Sequence, residues 1–145
     1  MVSDCKMKKE DKAMEKLIIV IERSNDHFGA YSENCEGIYA AGDSLDAVKS
    51  DTYEAIKILK ENLPESQWPD ILKEEYELEW KIDVPSFLEY YSKYMSLAGM
   101  EKMTGINQKQ LSNYLNHRSV PRPKQTKRIR DGIHRFAEEL LSITL

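Results

Sequence analysis

The sequence predicts an α+β protein, in which a small β-β-β-α-β domain is followed by an all-helical helix-turn-helix domain. Before Asp83, apolar residues occur in short runs or in strict alternation, which is typical of strands, with one long helical stripe between them. After Asp83, every apolar pattern has helical spacing. The formal charge also changes sign near this point. Residues 1–80 hold 10 Lys/Arg and 19 Asp/Glu, a net charge of −9. Residues 81–145 hold 11 Lys/Arg and 6 Asp/Glu, a net charge of +5.

Three short strands are predicted near the N-terminus. The β-branched apolar run 17–21 is too short for a buried helix, so we expect a strand that is covered on both faces. A turn at 24–26 leads to a second strand, 27–34, which is expected to pair with the first as a hairpin. Gly37 then interrupts the chain, and a third strand is predicted over 38–41.

One long helix and a fourth strand complete this domain. The helix is predicted over 45–62, with Ser44 as its N-cap and Pro64 ending it, and a loop follows at 66–70. Residues 76–83 alternate between apolar and charged side chains, as in a strand with one face on a core. A single helix covers only one face of such a sheet.

Segment 95–118 has the pattern of a helix-turn-helix. Gly105 is expected to end the first helix, because glycine accepts a left-handed backbone at little cost, and Asn107 is the expected N-cap of the second. Ile106 is expected to fill the corner. The residues that are expected to face the shared core are three or four apart: Met100, Met103, Leu111, Tyr114 and Leu115.

Further helices are predicted on both sides of this segment. Ser86 is the expected cap of a helix over 87–94, and the proline-containing stretch 120–123 is a rigid, basic connector. A last amphipathic helix is predicted over 126–143. It has five apolar residues that are expected to face inward: Ile129, Ile133, Phe136, Leu140 and Leu141.

The outward face of the second helix in segment 95–118 has the chemistry for reading DNA. A recognition helix lies in the major groove, where Gln and Asn pair with adenine and Lys with guanine. The candidate DNA-binding residues, the last three of them as phosphate contacts, are Asn107, Gln108, Lys109, Gln110, Asn113, Asn116, His117, Arg118, Lys124, Lys127 and Arg128. The alternative is an ordinary helix pair with a solvated polar face. Glu101 departs from the usual helix-turn-helix pattern. The position four residues before the turn glycine usually holds a small residue, because the two helices cross there.

The composition does not favour a membrane or secreted protein. No apolar run approaches the length of a membrane span, and the first residues lack the apolar region of a secretory signal. Residues 1–15 are expected to be a frayed tail. Cys5 and Cys35 form no disulfide framework or zinc motif. We therefore expect a cytoplasmic protein with no cofactor and no resident metal.

The order β-β-β-α-β followed by a helix-turn-helix resembles the HicB-type antitoxins. The matching features are the first strand, Gly29-Ala30-Tyr31, Glu36-Gly37-Ile38, the Gly42-Asp43-Ser44 helix entry and the strand 76–82. The resemblance covers nearly all of 16–143, with domains at 16–83 and 84–145. The resemblance implies a partial RNase H-like fold that binds a small, basic HicA-type toxin, which cleaves mRNA. It also implies that the antitoxin binds operator DNA and represses its own operon. Antitoxins of this type assemble as homodimers or homotetramers.

An acidic N-terminal domain suits a basic partner, and a basic C-terminal domain suits DNA phosphates. The residues expected to contact the toxin are acids, aromatics and a histidine around the second and third strands: His27, Tyr31, Glu33, Glu36 and Tyr39. Another class of function also fits, a DNA-binding regulator whose N-terminal domain senses a small ligand.

Catalysis is not expected from this sequence. A metal nuclease of the RNase H type needs several carboxylates that converge on two metal ions. Glu22 and Glu54 are candidates, but the sequence offers no evident third ligand. The histidines His27, His117 and His134 have no metal-ligand spacing.

Overall fold

A computed structural model describes residues 14–145 of the chain. These residues form two compact units that divide between Lys81 and Ile82, whereas the sequence places the boundary after Asp83. The predicted α+β class is confirmed. Most of the predicted tail lies outside the described residues, but Glu15 already belongs to the first strand.

The N-terminal unit contains a four-stranded mixed sheet. Its strands are β1 (Glu15–Arg23), β2 (Phe28–Ser32), β3 (Tyr39–Gly42) and β4 (Tyr76–Ile82), in the spatial order β3-β2-β1-β4. Strand β2 is antiparallel to both of its neighbours, β1 and β3. The predicted hairpin is therefore present.

Strand β1 has two unequal faces. Leu17, Ile19 and Ile21 are buried, whereas Ile18 and Val20 between them are only half-buried. The prediction that this strand is covered on both faces is therefore wrong within this unit. The helix of the unit packs on the face of Leu17, Ile19 and Ile21, and we call the opposite face the outer face of the sheet.

Helix α1 (Leu45–Asn62) has the predicted bounds. The hydroxyl oxygen of Ser44 accepts a hydrogen bond of 3.0 Å from the Ala47 N–H, which confirms the expected N-cap. Val48, Thr52 and Ile56 form its buried stripe, as the apolar spacing predicts.

The segment between α1 and β4 is more regular than the predicted loop. It holds a 3₁₀ turn (Glu65–Gln67) and the one-turn helix α2 (Asp70–Lys73). Pro69 precedes α2 as its N-cap, where the missing N–H of proline costs no helical hydrogen bond. Leu72 in this turn is buried, so its packing stabilises the extra turn.

The C-terminal unit is helical. Its helices are α3 (Val84–Tyr91), α4 (Leu97–Thr104), α5 (Gln108–Leu115) and α6 (Pro123–Leu141). They enclose one apolar core, to which every helix contributes: Val84, Leu88, Met100, Ile106, Leu111, Tyr114 and Ile129.

Two helix starts differ from the predictions. The side chain of Asp83, rather than Ser86, caps α3 by accepting a hydrogen bond of 3.0 Å from the Ser86 N–H. Helix α6 begins at Pro123, three residues earlier than predicted, because proline is well suited to the first helical position.

The end of α6 also differs from the prediction. Helix α6 stops at Leu141, and both Leu140 and Leu141, predicted to face inward, are exposed. Ile129 is buried as predicted, and Ile133 and Phe136 are half-buried. The core of the unit therefore covers only the first part of the apolar stripe of α6.

Candidate functional site

The turn between α4 and α5 has the geometry that the sequence predicts. Gly105 adopts a left-handed backbone with φ of +73°, and its N–H donates to the Glu101 carbonyl at 2.7 Å. The Thr104 hydroxyl accepts from the Ile106 N–H at 3.1 Å and donates to the Met100 carbonyl at 2.7 Å. Ile106 is buried at the corner. These contacts hold the two helices at a fixed angle.

The N-terminus of α5 is capped from two directions. The Asn107 side chain accepts a hydrogen bond of 2.7 Å from the Lys109 N–H, which confirms Asn107 as the N-cap. The Glu101 carboxylate accepts one of 3.3 Å from the Gln108 N–H. Glu101 therefore points along the surface to the start of α5, where the helix dipole favours a negative charge. This second role of Glu101 could not be predicted from the sequence, because it depends on how α4 and α5 pack together.

Helix α5 separates its buried and exposed residues clearly. Leu111 and Tyr114 lie in the core, whereas Gln108 and Lys109 are exposed. Asn113 is half-buried. The two residues at the beginning of α5 are the ones that a recognition helix presents to base edges.

Two other candidates on α5 are held by neighbouring groups. The Gln110 amide donates to the Ser119 hydroxyl at 3.3 Å, and the Asn116 amide donates to the Ser112 carbonyl at 2.9 Å. A base contact by either side chain would replace or share these hydrogen bonds. The structure thus favours Gln108 and Lys109 over Gln110 and Asn116 as base contacts.

An open groove of about 500 Å³ runs along the outside of the helix pair. It is lined by residues of α4, the turn and α5: Leu97, Glu101, Asn107, Gln108, Lys109 and Ser112. Leu97 and Ser112 are not among the residues predicted from the sequence. Ser112 has a simple signal, because it lies one helical turn after Gln108 and so shares its face.

The end of α5 is formed by a residue with an unusual backbone. His117 has a φ of +59°, and the following Arg118 N–H donates to the Asn113 carbonyl at 2.8 Å. A residue with a Cβ is strained in this conformation, which glycine adopts freely. The side chains of His117 and Arg118 are both exposed.

Replacing His117 by glycine should therefore stabilise the protein. We expect the free energy of unfolding to rise by about 1 kcal/mol, because the left-handed backbone then carries no Cβ strain. Urea denaturation followed by circular dichroism measures this change. The control is His134→Gly, which places the same change inside α6 and should destabilise by about 1 kcal/mol. Destabilisation by His117→Gly would show that His117 does not adopt a left-handed backbone at the end of α5.

The three predicted phosphate contacts have different surroundings. Lys124 is exposed in the first turn of α6. The Lys127 ammonium lies 2.7 Å from the Asp131 carboxylate, and this hydrogen bond lowers the pKa of Asp131. The Arg128 guanidinium donates to the Gly105 carbonyl at 2.9 Å and to the Gln125 side chain at 3.1 Å. Arg128 thus ties α6 to the turn.

In the N-terminal unit, a row of side chains crosses the outer face of the sheet. Val20 of β1 lies opposite Tyr31 of β2, and Tyr31 lies opposite Tyr39 of β3. Directly opposed residues share a face, so both tyrosines lie on the outer face. Tyr31 is 38% and Tyr39 73% exposed. Exposed aromatic side chains of this kind are enriched where proteins bind one another.

Charged residues lie beside this row. Glu33 lies 3.4 Å from the Lys81 ammonium of β4, and Glu79 of β4 lies 4.0 Å from that of Lys16. All four side chains are about half exposed or more, so each pair contributes little to stability. The structure thus brings together Tyr31, Glu33 and Tyr39.

The other two candidates for toxin binding lie in turns at opposite ends of β2. His27 precedes the strand, and its Nδ1 lies 3.1 Å from Asp26, an interaction that lowers the pKa of Asp26. Glu36 lies in the turn between β2 and β3 and is exposed. Neither residue is in the tyrosine row.

The two carboxylates considered for a nuclease are on opposite sides of the sheet. Glu22 alternates with Ile21 and so faces the outer side, whereas Glu54 belongs to α1, which packs on the inner side. Within residues 14–145, no group of three His, Cys, Asp or Glu side chains could hold a metal ion. Cys35 is buried, and this burial raises the pKa of its thiol.

Comparison with known proteins returned no family model, no curated protein and no solved structure that matches the chain. The likeness to HicB-type antitoxins therefore rests on the residues and on the order of elements. Over the described range 14–145, no helix combines the length and the apolar character needed to cross a membrane.

Proposed function

We propose that the protein is a non-enzymatic, cytoplasmic antitoxin of the HicB type. Its N-terminal unit binds and neutralises a small, basic HicA-type toxin that cleaves mRNA. Its C-terminal unit binds operator DNA as a homodimer or homotetramer and represses the operon. The observation that supports this most strongly is the turn at Gly105, which leaves Gln108 and Lys109 exposed at the start of α5.

DNA binding by the C-terminal unit is supported by geometry and charge. Helix α5 is rigidly held by the buried Leu111 and Tyr114, so its exposed residues keep a fixed orientation. Residues 81–145 carry a formal charge of +5, which favours a polyanion because each neutralised phosphate releases counterions. The exposed Lys124 and Arg118 lie outside α5 and suit the DNA backbone.

Toxin binding by the N-terminal unit is supported by the outer face of the sheet. Two exposed tyrosines supply apolar area with a polar tip, which suits the centre of a protein interface. Residues 1–80 carry a formal charge of −9, which steers a basic partner to this unit. An mRNA-cleaving protein must bind a polyanion, and it is therefore expected to be basic around its active site.

Changing Tyr31 and Tyr39 to alanine is expected to weaken the complex with the small protein encoded beside this gene. Loss of two aromatic contacts at an interface centre should reduce affinity about 100-fold or more. Isothermal titration calorimetry with the coexpressed and separated partner measures this. The matched control is Tyr94→Ala in the C-terminal unit, a tyrosine that is 70% exposed.

If the partner protein bound the Tyr31 and Tyr39 variant as tightly as the wild type, the outer face of the sheet would not be its binding site. If the neighbouring protein forms no complex with the wild type, the antitoxin proposal itself fails, and a regulator that senses a small ligand becomes the better account.

A further inference from the structure

The outer face of the sheet has a hollow beside the tyrosine row. Two residues further along each strand, the side chains on this face become small or charged, in the order Glu22 of β1, Gly29 of β2 and Ala41 of β3. A Cβ added to Gly29 would meet no atom of the described residues within 4 Å, so the space above it is open. The larger Tyr31 side chain lies next to this space. We call the space above Gly29 and Ala41, between Glu22 and Tyr31, the Gly29 hollow.

The Glu22 carboxylate beside the hollow is exposed. Two other carboxylates of the outer face, those of Glu33 and Glu79, each lie within 4.0 Å of a lysine of the same sheet. Within residues 14–145, no cation pairs with Glu22 in this way. The adjacent Arg23 is directed to the opposite face, where its guanidinium lies 5.7 Å from the centre of the Phe28 ring. Glu22 can therefore accept a cation from another molecule.

The spacing of Glu22 and Tyr31 suits a flat cation. Glu22 pairs with Gly29, and Tyr31 lies two residues from Gly29, so Glu22 and Tyr31 are diagonal neighbours about 7–8 Å apart. A guanidinium between them can lie about 2.8 Å from the carboxylate and within about 6 Å of the centre of the ring. Arginine suits this position better than lysine, because its planar group stacks on an aromatic face and donates two parallel hydrogen bonds to a carboxylate.

We propose that the Gly29 hollow binds an arginine side chain of the basic partner protein. The guanidinium pairs with the Glu22 carboxylate and stacks on Tyr31, and the missing side chain at Gly29 gives it room. The inference rests on the proposed toxin binding and deepens it, because it names the group that the partner presents and adds Glu22 and Gly29 to the predicted contacts. The formal charge of −9 on residues 1–80 favours a cationic occupant.

Gly29→Val tests the hollow without changing any charge or either tyrosine. Valine should occupy the space that the guanidinium needs, so affinity for the neighbouring small protein should fall at least about 10-fold, as measured by isothermal titration calorimetry. The fold should be retained, because the added atoms enter open space and valine favours strands over glycine. The midpoint of urea denaturation should therefore equal or exceed that of the wild type, which separates loss of binding from loss of folding.

Glu22→Gln tests the charge, because it removes the carboxylate and keeps the shape of the side chain. Affinity for the same protein should again fall at least about 10-fold, since the partner's cation is left without its counter-charge. The matched control is Glu79→Gln, which removes an equal charge from the same face. Glu79 lies beside Lys16, six residues and about 20 Å along β1 from Glu22. This control should change the affinity by less than about 3-fold.

A double-mutant cycle identifies the group that the partner presents. Each arginine of the neighbouring protein is changed to alanine in turn, and its binding to the wild type and to Glu22→Gln is compared. One of these changes should weaken binding to the wild type at least about 10-fold but weaken binding to Glu22→Gln by less than about 3-fold, because the pair is already broken there.

The outcomes separate this inference from the proposed function. If the neighbouring protein binds the wild type, but binds Gly29→Val and Glu22→Gln equally tightly, only the role of the hollow is overturned. An equal loss in Glu79→Gln would indicate general charge attraction and would also overturn it, as would a cycle in which no arginine couples to Glu22. If the wild type binds no neighbouring protein, the proposed toxin binding and this inference fail together.

Discussion

Gly132→Ala is expected to disrupt the C-terminal unit, lowering its free energy of unfolding by about 2–3 kcal/mol. Gly132 is buried where α6 crosses the end of α4. A Cβ at this position would overlap the Met103 carbonyl and lie 2.8 Å from the Thr104 Cα. Alanine favours a helix over glycine by about 1 kcal/mol, but backbone atoms cannot rotate aside, so the overlap forces α4 and α6 apart.

Urea denaturation of the full chain, followed by circular dichroism, measures the effect of Gly132→Ala. The control is Gly99→Ala in α4, where the added Cβ would meet only the Ser96 hydroxyl oxygen at 3.3 Å. That oxygen belongs to a small side chain rather than to backbone, so Gly99→Ala should change stability by no more than about 1 kcal/mol. A Gly132 variant as stable as the wild type would show that α4 and α6 do not approach this closely.

Replacing Gln108, Lys109 and Asn113 together by alanine is expected to abolish selectivity for operator DNA. Each well-placed base contact discriminates by about 1–3 kcal/mol, so loss of three should reduce specific affinity at least about 100-fold while non-specific binding persists. The fold should be retained, because none of the three belongs to the core. Electrophoretic mobility shift with the DNA upstream of the gene, against a scrambled fragment of equal length, measures both affinities.

Lys93→Ala is the control for charge, because it removes one exposed lysine outside the helix-turn-helix, as the triple variant removes Lys109. It should preserve the ratio of specific to non-specific affinity. Unchanged selectivity in the triple variant would mean that α5 is not the helix that reads DNA, even if the C-terminal unit binds DNA through its charge.

Local chemistry explains which features the sequence could predict. Gly105, Asn107 and Ser44 act on backbone groups within three or four residues, so their roles follow from the residue type and its immediate neighbours. The alternation of β4 is equally local. At the start of α3, two capping residues compete, and Asp83 rather than Ser86 acts because Pro85 already lies inside the helix.

The features that could not be predicted depend on packing between distant segments. Arg128 donates to the carbonyl of Gly105, which lies 23 residues earlier, and Glu101 reaches the N-terminus of α5. Neither contact can be predicted from the sequence, because both depend on the angles at which the helices cross. The outward position of Leu140 and Leu141 has a similar cause, because it depends on how far the other helices extend beside α6. Periodicity identifies an apolar face but not what covers it.

The decisive experiment compares two variants of the full chain against two ligands, the upstream DNA and the neighbouring small protein. If the two units bind different ligands, the Gln108, Lys109 and Asn113 variant should lose operator selectivity and retain the protein partner. The Tyr31 and Tyr39 variant should do the reverse. Loss of both ligands in one correctly folded variant, or of neither ligand in both variants, would refute the division of function between the two units.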